Sequence, residues 1–101
     1  MATTTTKALA RTAAATSFAT LYTVPASTTA VVTNIAVTNT AGTAGTFSLL
    51  LDGVALHTTT AIAANTTVYI DLKQVLTTTK IIAGFASATS INFHISGVEI
   101  A

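Results

Sequence analysis

The chain is predicted to be all-β: an antiparallel β-sandwich or jelly-roll-like domain of seven to eight short strands. Three observations predict this fold class. Apolar and polar residues alternate over several stretches, turn-forming residues recur between those stretches, and no window has the i, i+3, i+4, i+7 apolar spacing of a helix. The 101 residues provide for one domain.

The first segment, residues 1–17, is predicted to be an N-terminal arm, and residues 18–101 form the predicted sandwich domain. Residues 7–11 have good helix propensity. However, Leu9 is the one sizeable apolar side chain there, so a helix would have almost no face to bury. We therefore expect an extended arm or an edge strand.

A strand over residues 18–24 is expected to end at Pro25, which fixes its own φ and favours an extended residue before it. After a corner at residues 26–28, a longer strand runs to Thr38, and its alternation predicts one dry and one wet face. The expected buried set is Val31, Ile35 and Val37. The expected polar set is Asn34 and Thr38.

Asp52-Gly53 is the strongest hairpin signal in the chain. It lies between two apolar runs, and a type I′ turn needs positive φ at both central residues. The hairpin is expected to pair Leu51 with Val54, and then Leu49 with Leu56. The strand before the turn is expected to bury Phe47, Leu49 and Leu51.

Three more strands are expected after the hairpin, with a turn at residues 63–66 and a polar loop at residues 73–79. The strand over residues 67–72 is expected to bury Val68, Ile70 and Leu72 and to expose Tyr69 and Asp71. In the strand over residues 81–86, Gly84 is expected to mark a bulge or a close contact.

The last strand is expected to bury Ile91, Phe93 and Ile95. Beyond Gly97 the apolar residues are Val98 and Ile100, one residue out of phase. Because a one-residue phase shift at glycine is what a β-bulge produces, we expect a bulge there.

Charge is scarce, at 7% of residues against about 25% in typical domains. A net charge of +1 gives no basic stripe, so nucleic-acid binding is not expected. No apolar run approaches the ~20 residues of a membrane helix. The N-terminus lacks a hydrophobic signal core, so we expect the protein to be made in a cytoplasm and to stay there until it is assembled.

No reactive constellation is recognisable, and we expect neither enzymatic activity nor a cofactor. His57 and His94 have no matching acidic or cysteine cluster, so a metal site is not expected. We expect both side chains to have a plain role on a polar face. The acids are scattered, although Asp71 and Glu99 could meet across strands. There is no Gly-x-Ser-x-Gly elbow and no phosphate-binding glycine loop. Tyr22 and Tyr69 could stack on sugars, cap core edges or face a partner subunit.

Several turn-and-strand segments resemble small virion structural proteins of tailed bacteriophages. The segments are Leu21–Ala26, Thr29–Val32, Ile35–Thr40, Ala41–Phe47, Ile62–Val68 and His94–Ile100. The resemblance implies a β-sandwich capsid decoration (cement) protein that binds the outer surface of the major capsid protein lattice and stabilises it. It also implies a homotrimer located on the capsid surface of the virion, with no catalytic motif to carry over.

Six residues are the candidate partner contacts: Lys7, Leu9, Arg11, Tyr22, Tyr69 and His94. The arm is expected to cross to a neighbouring subunit, since Lys7 and Arg11 are two of the four Lys and Arg residues of the chain. Two other functions remain open. One is a tail or baseplate component, with a structural or adhesive role, and the other is a sugar-binding β-sandwich module.

Overall fold

The computed structural model describes residues 3–101 as eight β-strands in two antiparallel four-stranded sheets, which confirms the predicted all-β sandwich. The strands are β1 (Thr4–Ala13), β2 (Ala19–Thr23), β3 (Thr29–Asn39), β4 (Gly45–Leu51), β5 (Val54–Ile62), β6 (Thr66–Leu76), β7 (Ile81–Ala86) and β8 (Ile91–Ile100).

The strand order is that of a jelly roll. The first sheet runs β1-β8-β3-β6 and the second runs β2-β7-β4-β5. The chain therefore pairs its first strand with its last, its second with its seventh, and so on to the β4–β5 hairpin at the middle. Such a ribbon, folded over into two sheets, leaves β1, β6, β2 and β5 as edge strands.

The core lies between the two sheets. Its largest fully buried apolar side chains include Phe47, Phe93, Ile35, Leu49, Ile62, Ile82, Ile91 and Ile95. Phe47 of the second sheet meets Phe93 of the first edge-on, with ring centroids 6.4 Å apart. Burial of each such side chain contributes about 1.5–3 kcal/mol, so this layer supplies most of the favourable free energy of folding.

Asn39, the last residue of β3, organises the loops at one end of the sandwich. Its side chain is buried, and its Nδ2 donates to the carbonyl oxygens of Thr43 at 2.9 Å and Ala63 at 3.3 Å. Its Oδ1 accepts from the backbone N–H of Ala41 at 3.0 Å. A buried amide is tolerated here because its donors and acceptor are satisfied.

The Asp52-Gly53 turn is confirmed, with φ of 55° and 74° at its two central residues, and Leu51 pairs with Val54. The expected pairing of Leu49 with Leu56 is wrong, because Leu49 lies opposite His57. The cause is an extra residue in β5: Leu50 already pairs with Ala55, so Leu56 has no partner in the register. The buried set of β4 is as predicted.

Two expectations in the first sheet are wrong for the same reason. Val31 lies on the outer face and Val32 is buried in its place, because Thr33 is an unpaired bulge residue that shifts the alternation of β3. Residues 73–76 are strand, not loop: β6 continues to Leu76, whose side chain is buried. Leu72 and Lys73 oppose the single residue Thr33, which interrupts the alternation of β6.

The bulge expected at Gly97 is misplaced. The extra residues belong to the neighbouring strands, at Leu9 of β1 and Thr33 of β3, while β8 alternates without a break through Gly97. Gly97 accommodates them, since a Cβ there would lie 2.2 Å from the carbonyl oxygen of Val31. At Gly84 the expected close contact is confirmed: a Cβ would lie 2.9 Å from the carbonyl oxygen of Ser48.

Residues 4–13 form the edge strand β1, the second of the two extended forms considered for the N-terminal segment. β1 pairs with β8 from Thr4, opposite Ile100, to Ala13, opposite Asn92. It contributes a single buried side chain, Leu9, to the core. Whether this segment crosses to a neighbouring subunit stays a prediction, and residues 1 and 2 lie outside the described part.

Candidate contact surface

One row of side chains crosses the outer face of the first sheet from edge to edge. In order across the four strands it consists of Arg11, His94, Ala36 and Tyr69. Residues directly opposite each other in a sheet point to the same side. Ala36 and His94 alternate with the buried residues of β3 and β8, and Arg11 and Tyr69 lie opposite them in the register, so all four point away from the core. Three of the six candidate partner contacts are therefore brought together here.

The exposure of the row rises from its centre to its edges. Ala36 and His94 on the central strands are half-buried, whereas Arg11 is exposed and Tyr69 is 73% exposed. Large side chains thus stand at both edges and smaller ones lie between them. The prediction that Tyr69 faces outward, and that His94 lies opposite the face of Phe93 and Ile95, is confirmed.

The rows on either side carry short side chains, most of them polar. One consists of Ala8, Ser96, Asn34 and Asp71, and the other of Ala13, Asn92, Thr38 and Thr67. Beyond the line of bulges, Val98, Val31 and Val75 lie side by side, and Val75 is 62% exposed. We call these rows, with the row through Tyr69, the outer face of the first sheet.

Charge on this face is sparse and lies at its two edges. Arg11 is on edge strand β1, and within residues 3–101 it forms no ion pair. Asp71 is on the opposite edge strand, β6, where Lys73 lies 3.9 Å away in a solvent-exposed pair. Such a pair contributes little, so the carboxylate of Asp71 remains accessible to another cation.

A second polar cluster joins the two sheets at the end of the sandwich where β1, β8 and β2 meet. Glu99 continues the inward alternation of β8 and accepts a hydrogen bond from the hydroxyl of Tyr22 in the other sheet. Lys7 of β1 pairs with the same carboxylate, with its Nζ 3.3 Å from Oε1 and 3.5 Å from Oε2. Asp71 and Glu99, which could have met across strands, have separate partners.

The contacts of this cluster shift the pKa values of both acids. The hydrogen bond from Tyr22, and then the contacts with Lys7, hold the pKa of Glu99 below its ordinary value. Burial, reinforced by the hydrogen bond to Glu99, raises the pKa of Tyr22 well above 10.0. The cluster therefore favours a neutral tyrosine donating to an ionised glutamate over a wide pH range.

The remaining candidate residues lie away from the outer face. Leu9 is in the core, and Tyr22, only 8% exposed, caps its edge, so neither offers an open surface in this conformation. Lys7 is engaged by Glu99. The partner contacts predicted for these three residues remain predictions. The plain polar-face role of His57 is wrong: its ring packs against Phe47 with centroids 5.4 Å apart.

The sequence analysis did not assign Ala36, Asn34 or Glu99 to a candidate site. Each is unremarkable in sequence, and each gains its place from strands far apart in the chain: Ala36 lies beside His94, and Glu99 contacts Tyr22. The one signal in the sequence that could have indicated these residues was the polar face of β3, opposite its apolar residues. Which strands would flank that face depends on the order of strands in the sheet.

A shallow pocket of about 170 Å³ lies beside β4 and β7, lined mainly by Ser and Thr residues together with two Phe residues. It is smaller than the roughly 300–1,000 Å³ of typical ligand sites. In the described part of the chain, no three His, Cys, Asp or Glu side chains come together as metal ligands. Residues 3–101 also contain no helix long and apolar enough to cross a membrane.

The chain matches no protein-family model, and a search of curated proteins found no match.

Proposed function

We propose that the protein is a non-enzymatic structural subunit of a virion, a capsid decoration protein that binds the outer surface of the major capsid protein lattice. The observation that carries the proposal is the outer face of the first sheet. It presents Arg11, His94 and Tyr69 in one row, between rows of small polar and apolar groups. Large aromatic and arginine side chains on a charge-poor surface are characteristic of protein contact sites.

The edges of the sheets support a contact through a face. Leu9 in β1 and Leu21 in β2 have no register partner on the neighbouring strand. The other two edge strands, β5 and β6, also contain residues that the neighbouring strand does not match. Bulges in edge strands discourage another strand from adding to the sheet. This favours binding through the broad outer faces over binding through the edges.

The architecture is compatible with the proposal, by analogy only. Viral capsid domains and lectin domains both use eight-stranded jelly rolls. Since one fold hosts many functions, this analogy favours a binding or structural role without choosing between the two.

Binding to particles tests the proposal. Purified protein is mixed with capsid shells that lack it, and the shells are sedimented. We expect wild-type protein in saturable amounts, with hundreds of copies per shell, and a loss of about tenfold or more in affinity for Tyr69→Ala. Thr20→Ala, an exposed change on the outer face of the second sheet, is the matched control. Absence of wild-type protein from the pellet would contradict the proposal, and a handful of copies would favour a tail or baseplate location.

A sugar-binding role is the second candidate, and the exposure of Tyr69 favours it. Tyr69 is 73% exposed, and its row lies next to the row that holds Asn34 and Asp71. An aromatic face beside amide and carboxylate groups can stack on a sugar ring and hydrogen-bond to its hydroxyls. Tyr22, the other tyrosine considered, is too buried to stack on a ligand. Binding of the isolated protein to a glycan array, lost in Tyr69→Ala, would favour this candidate.

A further inference from the structure

We propose that the shallow pocket beside β4 and β7 is a binding site for one neutral sugar unit. The pocket belongs to the second sheet, whereas the row through Tyr69 belongs to the first. The site is therefore independent of the proposed capsid contact and of the sugar contact considered at Tyr69. A copy bound through the outer face of the first sheet would leave this pocket open to solvent.

Three strands and one connection form the walls of the pocket. Ser48 of β4 and Phe85 of β7 lie directly opposite each other in the register. The residues before and after Ser48 are in the core, so Ser48 and Phe85 point to the outer face of the second sheet. Thr59 of β5 and Thr16, from the connection between β1 and β2, also line the pocket. The site thus combines segments that are far apart in the sequence.

A bulge in β5 brings the hydroxyl of Ser48 into the backbone hydrogen-bonding pattern. Thr60 and His57 pair with the residues on either side of Ser48, so two residues of β5 oppose it. One of these two, Thr59, donates its N–H to Oγ of Ser48 at 3.0 Å. Thr59 has φ of 46°, a strained conformation for a β-branched residue, and backbone strain of this kind clusters at functional sites.

Two serine hydroxyls in the pocket retain a hydrogen to donate. Ser87, just after β7, accepts the N–H of Thr46 at 3.0 Å, as Ser48 accepts that of Thr59. Within residues 3–101 neither hydroxyl donates to an acceptor, although each has an O–H. Ser48 is only 5% exposed, and a buried donor without an acceptor is unfavourable. A ligand with acceptor oxygens in the pocket would satisfy these donors.

The chemistry of the lining selects a neutral ligand with one apolar face. In the described part of the chain the pocket is lined by Ser, Thr, Phe and Ala residues, so an ionised ligand would lose its hydration without gaining a counter-charge. Phe85 is half-buried, which leaves part of its ring for contact. A sugar unit has hydroxyl oxygens for the serines and an apolar C–H face for the ring. The small volume of the pocket suits one such unit, with the rest of a glycan in solvent.

Titration of the full chain with single sugars tests the site. The probes are the methyl glycosides of glucose, galactose, mannose and N-acetylglucosamine, followed by proton–nitrogen correlation NMR of the backbone amides. A ligand of about a dozen non-hydrogen atoms with ordinary ligand efficiency binds with a Kd of about 1 mM. We expect at least one probe to saturate near that value and to shift the amide signals of Ser48, Thr59 and Ser87.

Two variants connect the binding to the pocket. Phe85→Leu keeps an apolar side chain but removes the ring, and Ser87→Ala removes one donor at an exposed position. We expect each to weaken binding about fivefold or more, since each removes one contact with the sugar. Thr20→Ala, an exposed change on the same face but outside the pocket, is the matched control and should bind like wild type. The signal dispersion in the same spectra shows whether each variant is folded, and Phe85→Leu decides alone if Ser87→Ala is not.

Four results would overturn the inference. They are no shift with any probe up to about 50 mM, far above the expected Kd; shifts confined to the first sheet; wild-type affinity in Phe85→Leu; and an equal response to N-methylacetamide, which has a peptide carbonyl and no sugar hydroxyls. Binding that is lost in Tyr69→Ala but retained in Phe85→Leu would overturn it as well and would favour the site at Tyr69.

The proposed function is tested separately from this site. Phe85→Leu should sediment with capsid shells as wild type does, because the change lies on the other sheet. If shells are bound but no sugar is, the decoration role stands and the pocket assignment is contradicted. If sugar is bound as expected but shells are not, the pocket assignment stands and the decoration role is contradicted.

Discussion

At the scale of single residues, Gly97 illustrates how one position determines the shape of the first sheet. Val31 and Leu9 approach it from the strands on its two sides, and a Cβ would lie 2.2 Å from the carbonyl oxygen of Val31 and 3.0 Å from Cδ1 of Leu9. The leucine could move, but the carbonyl is part of a paired strand. Glycine is therefore required here for space, and the bulges beside it depend on that space.

Gly97→Ala is expected to destabilise the fold by more than about 3 kcal/mol, because the new methyl group displaces the backbone of β3. Gly42→Ala is the matched control. A Cβ at Gly42 meets no atom within 4 Å, so the change should stay within about 0.5 kcal/mol of wild type. Urea unfolding of the three proteins measures both effects. Equal midpoints for the two variants would contradict the contact at Gly97.

At the scale of elements, all four edge strands contain residues that their neighbours do not match. Period-two alternation predicted most of the strands and the buried sets of β4 and β8. It could not predict the bulges, since the phase of the pattern at Val31 is compatible with either face until the neighbouring strand is known. The hairpin at Asp52 was predictable because a turn of two residues depends on local conformation alone.

The bulge in β5 stores backbone strain that a substitution can release. Thr59 has φ of 46°, unfavourable for a β-branched residue, and is held by a hydrogen bond from its N–H to the hydroxyl of Ser48 at 3.0 Å. Thr59→Asn should stabilise the protein by about 1 kcal/mol, because asparagine tolerates this conformation better. Thr58→Asn, next to it but without positive φ, should be neutral or slightly destabilising. The midpoint of thermal unfolding distinguishes the two, and a lower midpoint for Thr59→Asn would argue against strain.

At the scale of the whole molecule, the strand order creates both polar features. The row through Tyr69 combines β1, β8, β3 and β6, and the cluster at Glu99 combines β1, β8 and β2. None of these strands is next in sequence to its neighbour in the sheet. The sequence predicted that Tyr69 and His94 face outward, but not that they share a row with Arg11. Neighbours across a jelly roll are determined by how the ribbon folds over, which local patterns do not specify.

The same architecture predicts how the stability of the molecule responds to acid. The carboxylate of Glu99 links the two sheets through its hydrogen bond with Tyr22, and it also pairs with Lys7 of β1. The carboxylate of Asp71, by contrast, is exposed at an edge. The pKa of Glu99 is lowered in the fold from an ordinary value of 4.5. The contribution of Glu99 to the free energy of unfolding is therefore fully present above about pH 4.5, where the unfolded chain is also ionised, and is lost as the pH falls through the lower folded-state pKa.

The free energy of unfolding, measured by urea titration at several pH values, should decrease below pH 4.5 in wild type. Glu99→Gln should be less stable at pH 7 and should show a flatter dependence, whereas Asp71→Asn should follow wild type. A dependence that is unchanged in Glu99→Gln would show that Glu99 is not responsible for the acid sensitivity.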